Sequence, residues 1–132
     1  MIAVDASALI AFFLREEGWR KLSSHMRRVV TVDQAVKEFL NALWKATYLR
    51  GFVGAKESEE VLRTFKEYLE NNVIIEPEEE LLDRSFEISI RHGITVYDSL
   101  YIALSLRRQV PLLTLDLKQK KVASSLGIPV LP

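Results

Sequence analysis

Short apolar runs alternate with longer stretches of helical period along this chain. Ile2-Ala3-Val4 predicts a short buried strand, after which Asp5-Ala6-Ser7 opens a helix over Ala8 to Leu14. Glu16 to Met26 carries a second, more polar helical pattern. Val29-Val30-Thr31-Val32 is β-branched throughout and predicts a strand. Asp33 suits the N-cap of a helix from about Gln34 to Arg50, which Gly51 ends. A charged helix from Glu57 to Glu70 and a strand at Val73-Ile74-Ile75 follow. Pro77 and the acidic run Glu78-Glu79-Glu80 suit the positive end of a helix that His92-Gly93 closes. Tyr97-Asp98-Ser99 opens the next helix, to about Arg108. Pro111-Leu112-Leu113-Thr114 is a strand, Asp116 begins a lysine-rich helix capped by Gly127, and Ile128-Pro129-Val130 is a last short strand.

Strands alternating with helices predict an α/β fold with a parallel sheet covered on both faces. No linker, low-complexity segment or repeat interrupts residues 1–132, so one domain is expected. The Gly51 to Gly54 joint separates two helices rather than two domains.

Composition narrows the chemistry. The chain has 48% hydrophobic and 27% charged residues, as soluble globular domains do. Its 18 basic and 18 acidic side chains cancel, so any capture of phosphate must be local. The absence of cysteine excludes disulfides, thiolate metal sites and a cysteine nucleophile. Two histidines, His25 and His92, are too few for a histidine-rich metal site and read as surface or helix-end residues. The N-terminus does not read as a signal peptide, and no apolar run reaches the ~18 residues of a membrane span. A cytoplasmic protein is expected.

Four carboxylates then stand out: Asp5, Glu38, Asp98 and Asp116. Asp5 and Asp116 each sit between a strand and a helix, where an aspartate serves equally as an N-cap. That position is also the carboxyl end of a strand, where open α/β sheets place ligands. Asp98 opens a helix, Ser99 to Leu106, that is apolar nearly all round and should be buried. A cap remains the alternative, but a desolvated acid is costly unless paired or metal-bound. Glu38 shares a narrow polar strip with Asn41 and Lys45, and spacing alone favours an ordinary solvated strip. A parallel sheet would gather all four at one edge. Like charges ~4 Å apart cost ~1 kcal/mol in water and up to ~4 at an effective dielectric of 20, so such a cluster calls for a cation. All-oxygen donors suit Mg²⁺ or Mn²⁺.

The sequence resembles the PIN-domain ribonucleases, and among them the VapC-type toxins of toxin–antitoxin pairs. The resemblance runs through Val4-Asp5-Ala6-Ser7-Ala8-Leu9, Val36-Lys37-Glu38-Phe39-Leu40-Asn41, Tyr97-Asp98-Ser99-Leu100-Tyr101-Ile102-Ala103-Leu104, Leu113-Thr114-Leu115-Asp116, and the tail Val122 to Val130. It covers nearly the whole chain. It implies a PIN-like three-layer sandwich with a central five-stranded parallel sheet flanked by helices. It implies that Asp5, Glu38, Asp98 and Asp116 form one catalytic Mg²⁺ or Mn²⁺ site, with Ser7, Thr114 and Asn41 as polar neighbours. It also implies hydrolysis of RNA, a homodimer and a VapB-type antitoxin.

Of the basic side chains, Arg15, Arg107, Arg108, Lys118, Lys120 and Lys121 lie near sheet-edge segments or in the last helix, where an ordinary solvated face is the first reading. Phe12, Phe13, Trp44, Tyr48 and Phe52 read first as core by their helical spacing, with a dimer surface or a groove for an amphipathic helix as the alternative. Two other functions stay open: a non-catalytic PIN scaffold binding RNA or protein, and a different metal-dependent phosphohydrolase. Against the latter, no Asp-x-Asp follows the first strand.

Overall fold

The computed structural model describes residues 1–132. Five strands, β1 (Ile2–Val4), β2 (Val29–Val32), β3 (Val73–Glu76), β4 (Leu112–Leu113) and β5 (Val130–Leu131), form one sheet in the order β3-β2-β1-β4-β5. Every pairing is parallel, with Ala3 opposite Val30 on one side and Leu112 on the other. The β-branched run of β2 is buried along its whole length, as a central strand covered on both faces requires.

Six helices accompany the sheet: α1 (Ala6–Phe13), α2 (Asp33–Trp44), α3 (Ala55–Asn72), α4 (Leu82–His92), α5 (Val96–Arg108) and α6 (Leu117–Ser125). α5 lies across β1, β2 and β4, with α4 against it. Residues Ser99 to Ser105 of α5 are all buried, as its apolar sequence requires. α1, α2 and α3 meet through an aromatic cluster in which Phe13 packs edge-on against Phe39, Phe65 and Tyr68, and Phe39 stacks on Phe65 with centroids 3.8 Å apart. No helix is long and apolar enough to cross a membrane.

The departures from the sequence reading are local. Glu16 to Met26 forms two 3-10 turns, Trp19–Lys21 and Ser23–His25, instead of a helix. Arg15 (φ 52°) and Gly18 (φ 82°) break the backbone in the left-handed region, and a helix cannot pass through such residues. The helix expected to Arg50 ends as α2 at Trp44 and continues as one π-helical turn, Lys45–Leu49. Asp33 is the first residue of α2 rather than its N-cap. Its Oδ1 accepts from the Glu78 backbone N–H (3.0 Å), while Glu78 Oε2 accepts from the Gln34 N–H (2.9 Å). That reciprocal pair anchors the start of α2 to the turn Glu78–Leu81, which replaces the first turn expected after Pro77.

Of the aromatic residues, Phe12 and Phe13 pack against the core. Trp44 and Tyr48 stack on each other yet stay exposed, as does Phe52 at 77%.

Candidate metal and nuclease site

Strands β1 to β3 run outward on one side of the sheet and β4 and β5 on the other, so connections diverge between β1 and β4. That divergence leaves a crevice beyond the carboxyl ends of the two strands. Asp5 follows β1 there, and Thr114 and Asp116 follow β4.

Asp5 caps α1 and is only 1% exposed. Its Oδ1 accepts from the Ala8 N–H (3.0 Å) and the Ser7 hydroxyl (2.7 Å). Its Oδ2 accepts from the Thr114 hydroxyl (2.6 Å) and from Gln119 Nε2 (3.1 Å). Ser7 and Thr114 thus hold the carboxylate in place, and each also accepts from the chain beyond β4: Ser7 from Leu115 N–H and Thr114 from Asp116 N–H, both at 3.0 Å. Asp5 is thus an N-cap that stands at the carboxyl end of β1, the strand end where ligands of open α/β sheets are expected.

Asp98 is not the cap of α5. Thr95 takes that role, accepting from the Asp98 N–H at 3.1 Å. The Asp98 side chain is free to face the crevice, where its Oδ1 accepts from Gln119 Nε2 (3.3 Å). Asp116 does cap α6, with Oδ1 accepting from the Gln119 N–H (3.0 Å). Glu38 lies one turn into α2, where Oε1 accepts from Gln34 Nε2 (2.5 Å) and the Tyr101 hydroxyl (3.4 Å). Asn41 is exposed one turn further on, with no side-chain hydrogen bond to any of the four acids.

The electrostatics tie these groups together. Burial holds the Asp5 carboxyl above its usual range against the pull of Thr114, Ser7 and Ala8, and the Asp116 charge pushes the same way. Burial likewise raises Glu38, with Asp5 and Asp98 adding repulsion. Asp98 is raised by burial and then by Asp116, and eased by Thr95, Gln119 and Lys118. Burial also pushes the Tyr101 hydroxyl upward, so it stays a donor to Glu38. Each acid therefore lies within the field of another.

As the side chains stand, no three of these carboxylates are gathered closely enough to hold a metal ion. One amide stands between two of them instead, Gln119 donating to both Asp5 and Asp98, while the Gln34 amide donates to Glu38 alone. Such donors relieve the repulsion a bare cluster would suffer. Gln119 is 2% exposed, and its Oε1 is buried without a partner. The orphaned Oε1 is a further oxygen that a hard divalent cation could take, once the bridging amide gives up Asp5 and Asp98 to it. The donor set contains oxygen alone among its ionisable groups, which suits Mg²⁺ or Mn²⁺ and not a thiolate-loving ion.

The sequence reading missed Gln34, Gln119, Tyr101 and Thr95. Each stands three or four residues from an acid on its own helix, and that spacing was the available signal.

The chain matches the PIN domain family over residues 2–125. It is 33% identical over 118 residues to Ribonuclease VapC3 of Pyrobaculum aerophilum, covering 87% of this chain and 88% of that protein. Among solved structures, it is similar to the P. aerophilum protein PAE2754, with TM-score 0.72 and 25% identity over 98% of this chain and 87% of that one. Mycobacterium tuberculosis VapC20, described as a toxin that cleaves the sarcin-ricin loop, superposes with TM-score 0.68 at 17% identity, covering 97% of this chain and 96% of its own. FitAcB of Neisseria gonorrhoeae does so with TM-score 0.68 at 16% identity, covering 100% and 97%. The last two likenesses carry the fold alone.

Proposed function

This chain belongs to the PIN-domain family, in the branch of the VapC ribonucleases, and from that premise we propose that it is a Mg²⁺- or Mn²⁺-dependent endoribonuclease, the toxin of a VapBC-type pair. The observation that carries the reading is the buried Asp5, bridged to Asp98 by the Gln119 amide at the crevice between β1 and β4. An acid desolvated this far and set beside other acids has little structural purpose that an uncharged cap would not serve better.

Asp5, Asp98 and Asp116, with Glu38 at the edge, would hold the ion. When bound, it supplies positive charge to a phosphodiester and makes water a stronger nucleophile at neutral pH. The chain's own residues do the rest. Ser7 and Thr114 fix both oxygens of Asp5 so that its orientation is set before substrate arrives. Tyr101 and Gln34 aim Glu38. Glu38, less deeply buried than Asp5 and raised by burial and by its acidic neighbours, would accept a proton from attacking water at Oε2, the oxygen that Gln34 and Tyr101 leave unbonded.

The partners follow from the same reading. A cleft of about 590 Å³ lined by Phe12, Leu14, Trp19, Phe52 and Val61 suits the apolar face of an amphipathic antitoxin helix, with Glu57 and Glu60 on its wall. Leu82, Phe86 and Ile90, spaced four apart and 46%, 60% and 70% exposed on α4, suit a homodimer contact. A chain with this role works in the cytoplasm.

The test is cleavage of single-stranded RNA with Mg²⁺ or Mn²⁺, with EDTA, and with Asp98→Asn. Cleavage should require metal and fall by at least about a hundredfold in the variant, in line with losing one electrostatic contact at a reacting centre. Undiminished cleavage by Asp98→Asn overturns the assignment. No cleavage of any RNA, with or without metal, favours a binding scaffold.

A further inference from the structure

A nuclease site built of carboxylates repels its own substrate. The chain carries 18 basic and 18 acidic side chains, so no bulk field draws RNA in. Cations must stand beside the acids, along the path of the strand.

One concave surface meets that requirement. His92, Gly93 and Ile94, the bend between α4 and α5, face Lys118, Lys121, Val122 and Ser125 of α6 across a cleft of about 380 Å³. Lys118 and Lys121 are three residues apart, on one face of α6. Both are exposed, and neither makes an ion pair. Lys120 does not line it.

Both walls lead to the acids. The bend at Gly93 and Ile94 runs into Thr95, which caps the turn carrying Asp98. Lys118 is two residues beyond Asp116 and adjoins Gln119, and its charge reaches Asp98. Other lysines are unpaired too, but these two line a cleft whose α6 wall begins two residues beyond Asp116. The Ser125 hydroxyl spends its hydrogen on the Val122 carbonyl (2.7 Å), so the donors open to an anion are the ammonium groups and the imidazole.

We propose that the cleft between the α4–α5 bend and α6 is a phosphate subsite, in which Lys118 and Lys121, with His92 opposite, hold an internal phosphodiester of the RNA strand next to the one at the carboxylates. The inference rests on the nuclease reading and deepens it, because it fixes the direction in which the strand leaves the site. Lys118 and Lys121 are binding residues here, acting on position and affinity.

The test uses full-length protein in the Asp98→Asn background, so that RNA is bound without being cut. Affinity for a short single-stranded RNA is measured by fluorescence anisotropy over a range of salt. Lys118→Ala/Lys121→Ala should weaken binding about tenfold at low salt. It should also reduce the slope of log K against log salt by about 0.7, the value of one phosphate contact on a single strand. Lys56→Ala/Lys66→Ala, exposed lysines of α3, should leave the slope unchanged. Both double variants alter exposed residues, and their melting temperatures should match the parent. An unchanged slope in Lys118→Ala/Lys121→Ala overturns the subsite. So does a loss that vanishes when the RNA lacks its 5′-terminal phosphate, because the cleft then reads a strand end. If the native chain neither binds nor cleaves RNA, the nuclease reading itself fails. If it cleaves normally and only the slope prediction fails, the subsite alone is lost.

Discussion

Asp5→Asn should make the metal-free protein more stable and leave it deaf to metal. In the native chain Asp5 is buried and shares its surroundings with Asp116 and Glu38. Each like-charge neighbour near 4 Å costs from ~1 kcal/mol in water to ~4 at an effective dielectric of 20. Burial of the charge is the larger cost for Asp5 and repulsion by Asp116 adds to it, so an intermediate ~2 kcal/mol is the expected relief on removing the charge. Against this stands the loss of an acceptor at Oδ2. Thr114 has a rotatable hydroxyl and can turn from donor to acceptor, and Gln119 keeps its bond to Asp98. The Ala8 cap needs only an oxygen, which asparagine keeps. A chain of 132 residues has an unfolding entropy of about 0.28 kcal/mol/K, so ~2 kcal/mol corresponds to about 7 °C. Native protein with Mg²⁺ at a hundred times its Kd should gain about 2.7 kcal/mol, or about 10 °C. The assay is thermal unfolding by circular dichroism in EDTA and in a MgCl₂ or MnCl₂ series. A variant that melts below the native protein in EDTA, or that metal stabilises as much as the native protein, refutes the shared site.

Two further outcomes follow from the same electrostatics. Asp5, Glu38 and Asp98 are all raised above their ordinary values in the fold, so between those raised values and the unfolded values near ~4 the native state holds protons that the unfolded chain has released. Their contribution therefore makes metal-free stability rise as pH falls from neutral into that window, and the gain is complete below the unfolded values. Melting temperature against pH in EDTA should show this slope reduced in Asp5→Asn, and an unchanged slope would remove the three acids as its source. Gln119→Glu replaces the shared donor with a third carboxylate between Asp5 and Asp98. It should lower the metal-free melting temperature by at least about 5 °C and enlarge the rise produced by Mn²⁺, read in the same unfolding assay; a variant that melts like the native chain in EDTA would mean that the amide does not stand between the acids.

The long-range order of this molecule was largely legible in its amino acids, and the short-range departures were not. β2 and α5 announced themselves because burial on all sides leaves an unbroken apolar run. The 3-10 turns at Trp19–Lys21 and Ser23–His25 were hidden because their polarity pattern fits a helix, while the break comes from two backbone angles at Arg15 and Gly18. The acids show the same division. Asp5 and Asp116 were visible as residues between strand and helix. Their double duty as caps was foreseeable, whereas the release of Asp98 from capping depended on Thr95, three positions upstream. Glu38 lacked any local mark, since its place near the crevice comes from the way α2 is anchored by Asp33 and Glu78. The amide bridge of Gln119 is a tertiary fact, joining residues 114 and 21 positions apart.

That bridge has a consequence for how the chain matures. β1 is hydrogen-bonded to the segment around β4 through Ala3 to Pro111 and Asp5 to Leu113, and Asp5 receives Thr114 and Gln119 from the same late stretch. A partly folded chain with β1 to β3 in place but β4 absent would leave one edge of β1 open and Asp5 without two of its donors. Closing that gap joins contacts more than a hundred residues apart, which slows folding relative to local structure. On the proposed reading of the site, assembly of the acids and the pairing of β4 with β1 are thus a single event. Intermediates short of it carry an open strand edge and no assembled site, so a damaged or half-made copy is an aggregation risk rather than an active nuclease.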